Sequence, residues 1–166
     1  MANTDIGKQF EARWLIDWKR CFPGAFVFRL HDQMTGYKET SQNPCDFLAF
    51  EGRCVLMVEC KAHKGLSIPF SAIPQYERLL EYKNINQVFP GAIIWFYEQD
   101  TVIWVSVEEM EKMVNDGEKS IGLRMLKNNY KKSYNIITVP STKLRKFMES
   151  DYKYLVNTLL EEVQNG

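Results

Sequence analysis

The sequence contains no run of about 18 apolar residues, the length that a membrane-spanning helix requires. It also lacks an apolar secretory segment near its first residues. These absences predict a protein with no membrane partner and a cytoplasmic location, in a bacterial cell or, for a phage-encoded protein, in its host. Internal repeats and low-complexity segments are absent too, so no part of the chain is set apart as a repeated unit or linker.

Cysteine is scarce, and its spacing shows no metal-binding signature. The four cysteines, Cys21, Cys45, Cys54 and Cys60, include no C-x-x-C pair. A zinc site built from the last three together with His63 is one interpretation. The favoured interpretation is that they are small buried hydrophobic residues in strands, because free cysteine is among the most buried residue types.

Neither sign of charge is in excess. The chain has 21 Lys and Arg and 21 Asp and Glu, so its formal net charge is zero. Since phosphate contacts normally come from clustered basic residues, this balance counts mildly against nucleic-acid binding. It leaves room for local basic patches. Two clusters are candidates: Lys127, Lys131 and Lys132, and Lys143, Arg145 and Lys146.

What the chain does contain is the pattern of one α/β (α+β) domain over residues 1–166. With 45% hydrophobic residues it can build an ordinary core. Apolar spacing and capping signals predict the order helix, three strands, helix, two strands, helix, followed by a C-terminal helix, hence a mixed central sheet flanked by helices. The predicted helices are 4–22, one that Ser71 caps, one that Ser106 caps and Gly117 ends, and a C-terminal helix at about 141–164. The predicted strands are 25–30, 45–50, 53–60, 92–97 and 101–107.

The strands at 45–50 and 53–60 are the centre of this pattern, because their apolar runs flank a glycine-containing turn and predict an antiparallel hairpin. A two-residue turn at Glu51-Gly52 places Asp46 opposite Met57. It also places Asp46 diagonal to Glu59.

Side chains of a strand alternate with period two, so Asp46, Glu59 and Lys61 lie on one face of this hairpin. Cys60 points the opposite way, into the core. A one-residue slip would move Asp46 to the other face.

Two carboxylates and an amine on a buried sheet face need a physical reason, because unpaired buried charge is costly. An ion pair of Lys61 with one carboxylate is the structural explanation, and it leaves the second carboxylate unexplained. A hard cation explains both, since Mg²⁺ takes one or two carboxylates, keeps several waters and uses substrate phosphate for the rest. The residues therefore favour Mg²⁺, with Mn²⁺ as a substitute, at Asp46 and Glu59. Lys61 would stabilise an attacking hydroxide or the charge that grows on phosphorus.

Pro44-Cys45-Asp46, followed after twelve residues by Glu59-Cys60-Lys61, resembles the PD-(D/E)xK nuclease signature with Cys45 inserted after the proline. Flanking segments extend the resemblance to the RecU-type Holliday-junction resolvases, over roughly the first three-quarters of the chain. These segments are 7–11, 67–70 with Gln75, 91–96 and 119–121. The resemblance implies a restriction-endonuclease-like core.

Further site residues are implied by the resemblance. A Glu on the first helix of these resolvases, and of the related archaeal resolvases, helps to complete the metal site, which implies that role for Glu11. A matching Gln implies that Gln75 supports the site, at a helix start whose free N–H groups attract anions. Lys119 resembles a family position and is expected at the DNA backbone.

Three more DNA contacts are expected around the hairpin. Lys38 lies in the polar segment 31–43, where the family has a projecting stalk; a surface loop without a ligand is the alternative. His63 and Lys64 follow Lys61 along the strand and are expected near phosphate, with solvent exposure as the alternative for His63.

The resemblance implies a Mg²⁺-dependent endonuclease that cuts four-way or other branched DNA. In-line attack by a metal-activated water would leave 5′-phosphate and 3′-hydroxyl ends. Paired symmetric incisions need two sites in a fixed relation, so a C2 homodimer is expected. The alternatives are a related nuclease (nickase, exonuclease or restriction-type), a non-catalytic branched-DNA-binding module, and a protein that binds no nucleic acid.

Overall fold

The structure, a computed structural model, describes residues 3–31 and 43–165. Its helices are α1 (Asn3–Cys21), α2 (Tyr76–Leu79), α3 (Val107–Asn115) and α4 (Tyr152–Asn165). Its strands are β1 (Val27–Arg29), β2 (Phe47–Glu51), β3 (Cys54–His63), β4 (Ser67–Pro69), β5 (Val88–Phe96), β6 (Thr101–Ser106), β7 (Ser120–Gly122), β8 (Ile136–Thr138), β9 (Ser141–Lys143) and β10 (Met148–Ser150).

Six strands form a mixed sheet in the order β1-β2-β3-β5-β6-β8. Strands β3 and β5 run parallel at its centre, and the other neighbours are antiparallel. The remaining strands form two small antiparallel pairs, β4 with β7 and β9 with β10. The pairing of β4 with β7 joins two segments that carry the sequence resemblance, 67–70 and 119–121. The predicted mixed central sheet flanked by helices is confirmed.

Helix α1 covers one face of the sheet because its apolar residues recur every three or four positions and form a stripe. Phe10, Trp14 and Trp18 in that stripe are almost fully buried and pack with Phe47 of β2 and Cys60 of β3. Helix α4 completes this layer. On the other face, two further clusters contain residues of α2 and α3. None of the helices in the described ranges has the length and apolarity to cross a bilayer.

Strands β3 and β5 are apolar on both faces, as expected for central strands covered by helices on each side. Gly91 of β5 lies where a Cβ atom would come within 2.5 Å of the Trp104 ring and 2.6 Å of the Val105 carbonyl oxygen. Only glycine therefore allows β6 to approach β5 at this point. Glu59 is the charged exception in the buried part of β3.

All four cysteines are free and buried, which agrees with their interpretation as small core residues. Burial is the main cause that raises the pKa of Cys45 to about 12 and that of Cys54 to about 11. Both thiols are therefore neutral at physiological pH.

The predicted C-terminal helix at about 141–164 is wrong over its first eleven residues, 141–151. The segment forms the β9–β10 hairpin, and α4 begins only at Tyr152. The Asp151 carboxylate accepts hydrogen bonds from the backbone N–H groups of Lys153 and Tyr154, which fixes the helix start. Long-range contacts to α1 hold the hairpin, so its conformation is not dictated by local spacing.

The predicted helix from Ser71 is also wrong at its start. A 3₁₀ turn over Phe70–Ala72 ends at Ile73, which has φ −122° and ψ 67°. Pro74 disfavours the helical conformation in the residue before it, so helix α2 begins only after Gln75.

The prediction for α3 is confirmed. Ser106 Oγ accepts a hydrogen bond from Glu109 N–H at the first turn. Gly117, with φ +85°, follows the end of the helix.

Candidate active site

The β2–β3 hairpin differs from the prediction in register. Its turn is at Gly52-Arg53, with Glu51 paired to Cys54, and Met57 pairs with Leu48. Asp46 therefore lies beside Glu59 and Cys60, and not opposite Met57 as predicted. Since the shift is by two residues, alternation along the strands is preserved, and Met57, Glu59 and Lys61 still share one face.

Asp46 is fixed in place by backbone contacts just before β2. Its N–H donates to the Val58 carbonyl oxygen at 3.0 Å. Its carboxylate oxygen Oδ2 accepts a hydrogen bond from the Cys60 N–H at 2.8 Å. The carboxylate is thus held against the middle of β3, next to Glu59, while Asp46 keeps partial exposure to solvent.

Glu59 is a buried carboxylate, and among the described residues Lys61 is the cation that pairs with it. The Glu59 side chain is 1% exposed, and Lys61 Nζ lies 2.8 Å from its Oε1 as an ion pair. Within the described part of the chain, neither oxygen of Glu59 has a hydrogen bond of acceptable geometry, the Lys61 ion pair included. Burial, and then the negative charge of Asp46, raise the pKa of Glu59 to about 8, against the lowering effect of Lys61.

Glu11 reaches the same electrostatic environment from α1. Burial and the charge of Asp46 raise its pKa, and Arg29, Lys61 and Lys8 oppose that rise. Its carboxylate is paired with the Arg29 guanidinium of β1. Glu11 in turn contributes to the raised pKa of Glu59. The structure therefore brings Asp46, Glu59 and Lys61 together and places Glu11 within electrostatic range of them.

The fit of this cluster to a divalent cation depends on how many carboxylates converge there. Among residues 3–31 and 43–165, no group of three or more His, Cys, Asp or Glu side chains is placed to hold a metal ion. Glu11 is engaged by Arg29, which removes the third expected carboxylate from such a group. A two-carboxylate site does fit, because Mg²⁺ needs only one or two protein carboxylates. The unsatisfied oxygens of Glu59 and its raised pKa are the observations that support this fit.

Gln75 immediately precedes α2, which packs through Leu79 against Met57 on the face that carries Glu59. Its Oε1 is buried and has no hydrogen-bond partner within the described residues. Helix α2 is only four residues long, so the expected attraction of anions by its dipole is small. Support of the site by Gln75 stays a prediction.

The expected DNA-binding residues are dispersed. His63 ends β3, is partly buried and stands edge-on to the Phe96 ring, with centroids 6.2 Å apart. Lys64 is exposed, with a 3.6 Å ion pair to Glu98. Lys119 is exposed just before β7, and its carbonyl oxygen accepts from the Phe70 N–H. Lys38 lies outside the described residues.

Sequence reasoning missed Arg29 as part of this environment. Its guanidinium pairs with Glu11 and lies 5.8 Å from the centre of the Phe47 ring. Side chains alternate along the first strand, so Arg29 lies on the opposite face of the sheet from the exposed Phe26 and Phe28. The proximity of Glu11 depends on how α1 packs over the sheet, which no local pattern reveals.

Comparison of the sequence with protein-family models and with curated proteins gives no match. Comparison of the fold with solved structures does give a match. The Hjc protein of Archaeoglobus fulgidus, described as a Holliday junction resolvase from an archaeal hyperthermophile, superposes with a TM-score of 0.52 at 22% sequence identity. The match covers 71% of this chain and 89% of that protein. The chain thus has the restriction-endonuclease-like fold of an archaeal junction resolvase.

Proposed function

We propose that this protein is a Mg²⁺-dependent, structure-selective DNA endonuclease that resolves four-way junctions by paired incisions. One observation carries the proposal: Glu59, almost fully buried and without a hydrogen bond of acceptable geometry, lies beside the partly exposed Asp46 and the Lys61 ammonium. A buried carboxyl group without well-formed hydrogen bonds is costly in a structural role, but it is suited to a cation that arrives with the substrate. The fold of an archaeal resolvase and the sequence resemblance to RecU-type enzymes support the junction as substrate.

Asp46 and Glu59 would hold the metal, with Glu11 close enough to influence it electrostatically. When bound, Mg²⁺ lowers the pKa of the attacking water and offsets charge on the phosphate. A nearby cation also favours ionised Glu59, whose pKa is otherwise raised by burial.

The role of Lys61 follows from its position. Its side chain is 25% exposed and its ammonium lies next to Glu59, so the charge borders the face that a phosphodiester must approach. It would stabilise the negative charge that develops on the phosphoryl oxygens. Hydrolysis breaks the P–O3′ bond, and the 3′-oxygen takes a proton, which leaves a 3′-hydroxyl and a 5′-phosphate.

The test uses end-labelled four-way junction, duplex and single strand, each incubated with Mg²⁺ or EDTA. Wild type is expected to cut the junction symmetrically in Mg²⁺ only. Asp46→Asn and Lys61→Ala are expected to bind the junction and leave it intact. Lys153→Ala, an exposed lysine on α4, is the matched control and should cut normally. Cleavage that persists in Asp46→Asn, or wild type that binds and never cuts, would overturn the proposal.

Paired incision also requires two sites, so we propose a C2 homodimer as the working form. Light scattering after size exclusion should give twice the chain mass at the concentration used for cleavage. A monomer under those conditions would contradict the paired mechanism and leave a nickase with the same site.

A further inference from the structure

Three phenylalanines on the β1 side of the sheet form a small exposed aromatic surface. Phe26, Phe28 and Phe50 are 61%, 50% and 38% exposed. Single exposed apolar residues are normal on proteins and need no explanation, whereas exposed apolar residues that lie side by side are a feature of interaction sites. We call these three residues the Phe26–Phe28–Phe50 surface.

The three rings have defined orientations relative to one another. Phe26 and Phe28 stand with an interplanar angle of 2° and centroids 6.4 Å apart. Phe50 meets Phe26 edge-on, at 69° and 5.4 Å. Phe26 and Phe28 are two residues apart on an extended segment, so their side chains lie on the same face of the sheet. Two nearly parallel rings, both at least half exposed, give a nucleobase aromatic surfaces of one orientation to stack on.

Strand register places this surface next to the candidate active site. Phe28 pairs with Leu48, and Leu48 pairs with Met57, so all three side chains lie on one face of the sheet. Glu59 is two residues beyond Met57 and shares that face. The chain after Phe28 also continues toward the site, because Leu30 N–H donates to the Asp46 carbonyl oxygen.

We infer that the Phe26–Phe28–Phe50 surface stacks an unpaired nucleobase of the DNA whose backbone lies at Asp46 and Glu59. The inference rests on the proposed function and narrows its substrate to DNA with a base free to leave the helical stack near the scissile phosphate. Base–aromatic stacking is tolerant of sequence and needs no basic residues, which suits a chain of zero net charge. A second copy of the chain is the competing occupant. It accounts for the exposure, whereas DNA bound at the candidate active site accounts also for the position of the rings on the sheet face that carries Glu59.

The experiment measures binding in EDTA, where Mg²⁺-dependent cleavage is absent. The probes are a duplex with a short single-stranded gap, carrying 2-aminopurine at the unpaired position, and the same duplex fully paired. Phe26→Leu/Phe28→Leu keeps an apolar surface and removes the flat rings. Phe26→Tyr/Phe28→Tyr keeps the rings. Tyr154→Leu, an exposed aromatic of α4 at 48%, is the matched control. Thermal unfolding and light scattering are recorded for every variant.

Wild type, the tyrosine variant and the control are expected to quench 2-aminopurine and to prefer the gapped probe. The leucine variant should lose the quenching and bind the gapped probe about 10- to 100-fold more weakly, with little change for the paired duplex. Unchanged binding and quenching in the leucine variant would overturn the inference. So would a fall in its molecular mass, which would assign the surface to contact between two copies. A wild type that quenches the probe but never cuts a junction in Mg²⁺ defeats the proposed function alone.

Discussion

Two carboxylates of this protein are equally buried and have opposite surroundings. The side chains of Asp17 and Glu59 are each only 1% exposed. Asp17 lies on α1 at the point where the β9–β10 hairpin docks, and Glu59 lies in the central strand β3. Burial alone therefore does not distinguish a structural carboxylate from a functional one. The number and geometry of the groups that bind each carboxylate distinguish them.

Asp17 has its charge fully matched by the protein. It accepts hydrogen bonds from the Arg13 guanidinium and from the Ser150 backbone N–H at 2.9 Å, and Arg20 adds an ion pair at 3.7 Å. Arg20 also donates to the Ser150 carbonyl oxygen at 2.8 Å. These contacts tie α1 to the C-terminal hairpin and leave Asp17 no capacity for a ligand.

Glu59 has Lys61 as its close cation and Asp46 as a nearby like charge. Because its oxygens make no well-formed hydrogen bond to the described residues, the folded protein bears the cost of an incompletely satisfied carboxylate. A protein tolerates this loss of folding free energy where the binding of a ligand later offsets it. We therefore assign Glu59 to function and Asp17 to stability.

The largest effect is expected on cleavage by Glu59→Gln. The amide keeps the shape of the side chain and removes the charge that would hold the cation. Mg²⁺-dependent junction cleavage should fall by about 10²- to 10³-fold, the scale seen when an electrostatic group of an active site is removed. Single-turnover rates on labelled junction measure it. Glu161→Gln, an exposed glutamate of α4, is the control and should cut at the wild-type rate.

A second effect, on folding, is expected from Asp17→Asn. Removal of this charge leaves Arg13 and Arg20 with Glu149 as their remaining common partner and weakens the hydrogen bonds that Asp17 accepts. A hydrogen bond to a charged group contributes about 1.5 to 3 kcal/mol. Urea denaturation should therefore show a free energy of unfolding lower by roughly that amount. At a temperature where the variant stays folded, its rate of junction cleavage should be normal. A stable variant with lost cleavage would reverse the roles assigned to the two acids.

The contrast between these acids also shows what sequence can predict. The hairpin that carries Glu59 was predictable because apolar alternation and a glycine turn are local signals. Its register was wrong by two residues, since two adjacent turns, at 51–52 and at 52–53, both contain Gly52. A shift of two keeps every side chain on its face, so the neighbours Asp46, Glu59 and Lys61 were still found.

The surroundings of Asp17 were not predictable. Arg13 and Arg20 stand four and three residues away on α1, a spacing that equally suits ordinary surface ion pairs. The partner that makes Asp17 buried is Ser150, 133 residues away in sequence. The same long-range contact holds residues 141–150 as a hairpin, although Leu144 and Met148 have helical spacing relative to Leu155 and Leu159.

A third effect is a pH dependence of stability carried by Glu59. Its pKa is raised to about 8 from an ordinary value of 4.5, so between these values the folded protein holds a proton that the unfolded chain has released. The free energy of unfolding then falls as pH rises, by at most about 1.4 kcal/mol per pH unit. The stabilisation is complete below pH 4.5 and lost as pH rises through 8.

Urea denaturation without divalent cations, at about pH 5.5 and pH 7.5, measures this slope. Wild type should lose about 2 kcal/mol more between these two conditions than Glu59→Gln, which has no carboxyl to titrate. Equal losses in the two proteins would show that Glu59 is ionised in the folded state without a cation.

The smallest effect concerns Glu11, a carboxylate intermediate between the two extremes. Its carboxylate is paired with Arg29, whose side chain is 45% exposed. Burial and the charge of Asp46 nevertheless raise the pKa of Glu11. Glu11→Gln should raise the Mg²⁺ concentration for half-maximal cleavage by about 10-fold, as for groups that adjust a metal site from its periphery. Its stability should change by less than about 1 kcal/mol, because exposed ion pairs contribute little.

Arg29→Gln separates the two possible roles of that contact. It breaks the same ion pair and keeps the Glu11 carboxylate, so both variants should lose similar stability. Only Glu11→Gln should require more Mg²⁺, because in Arg29→Gln the negative charge stays beside Asp46 and loses a competing cation. If both variants shift the Mg²⁺ requirement upward alike, Glu11 acts by anchoring α1 to β1, and it belongs with Asp17 among the structural acids.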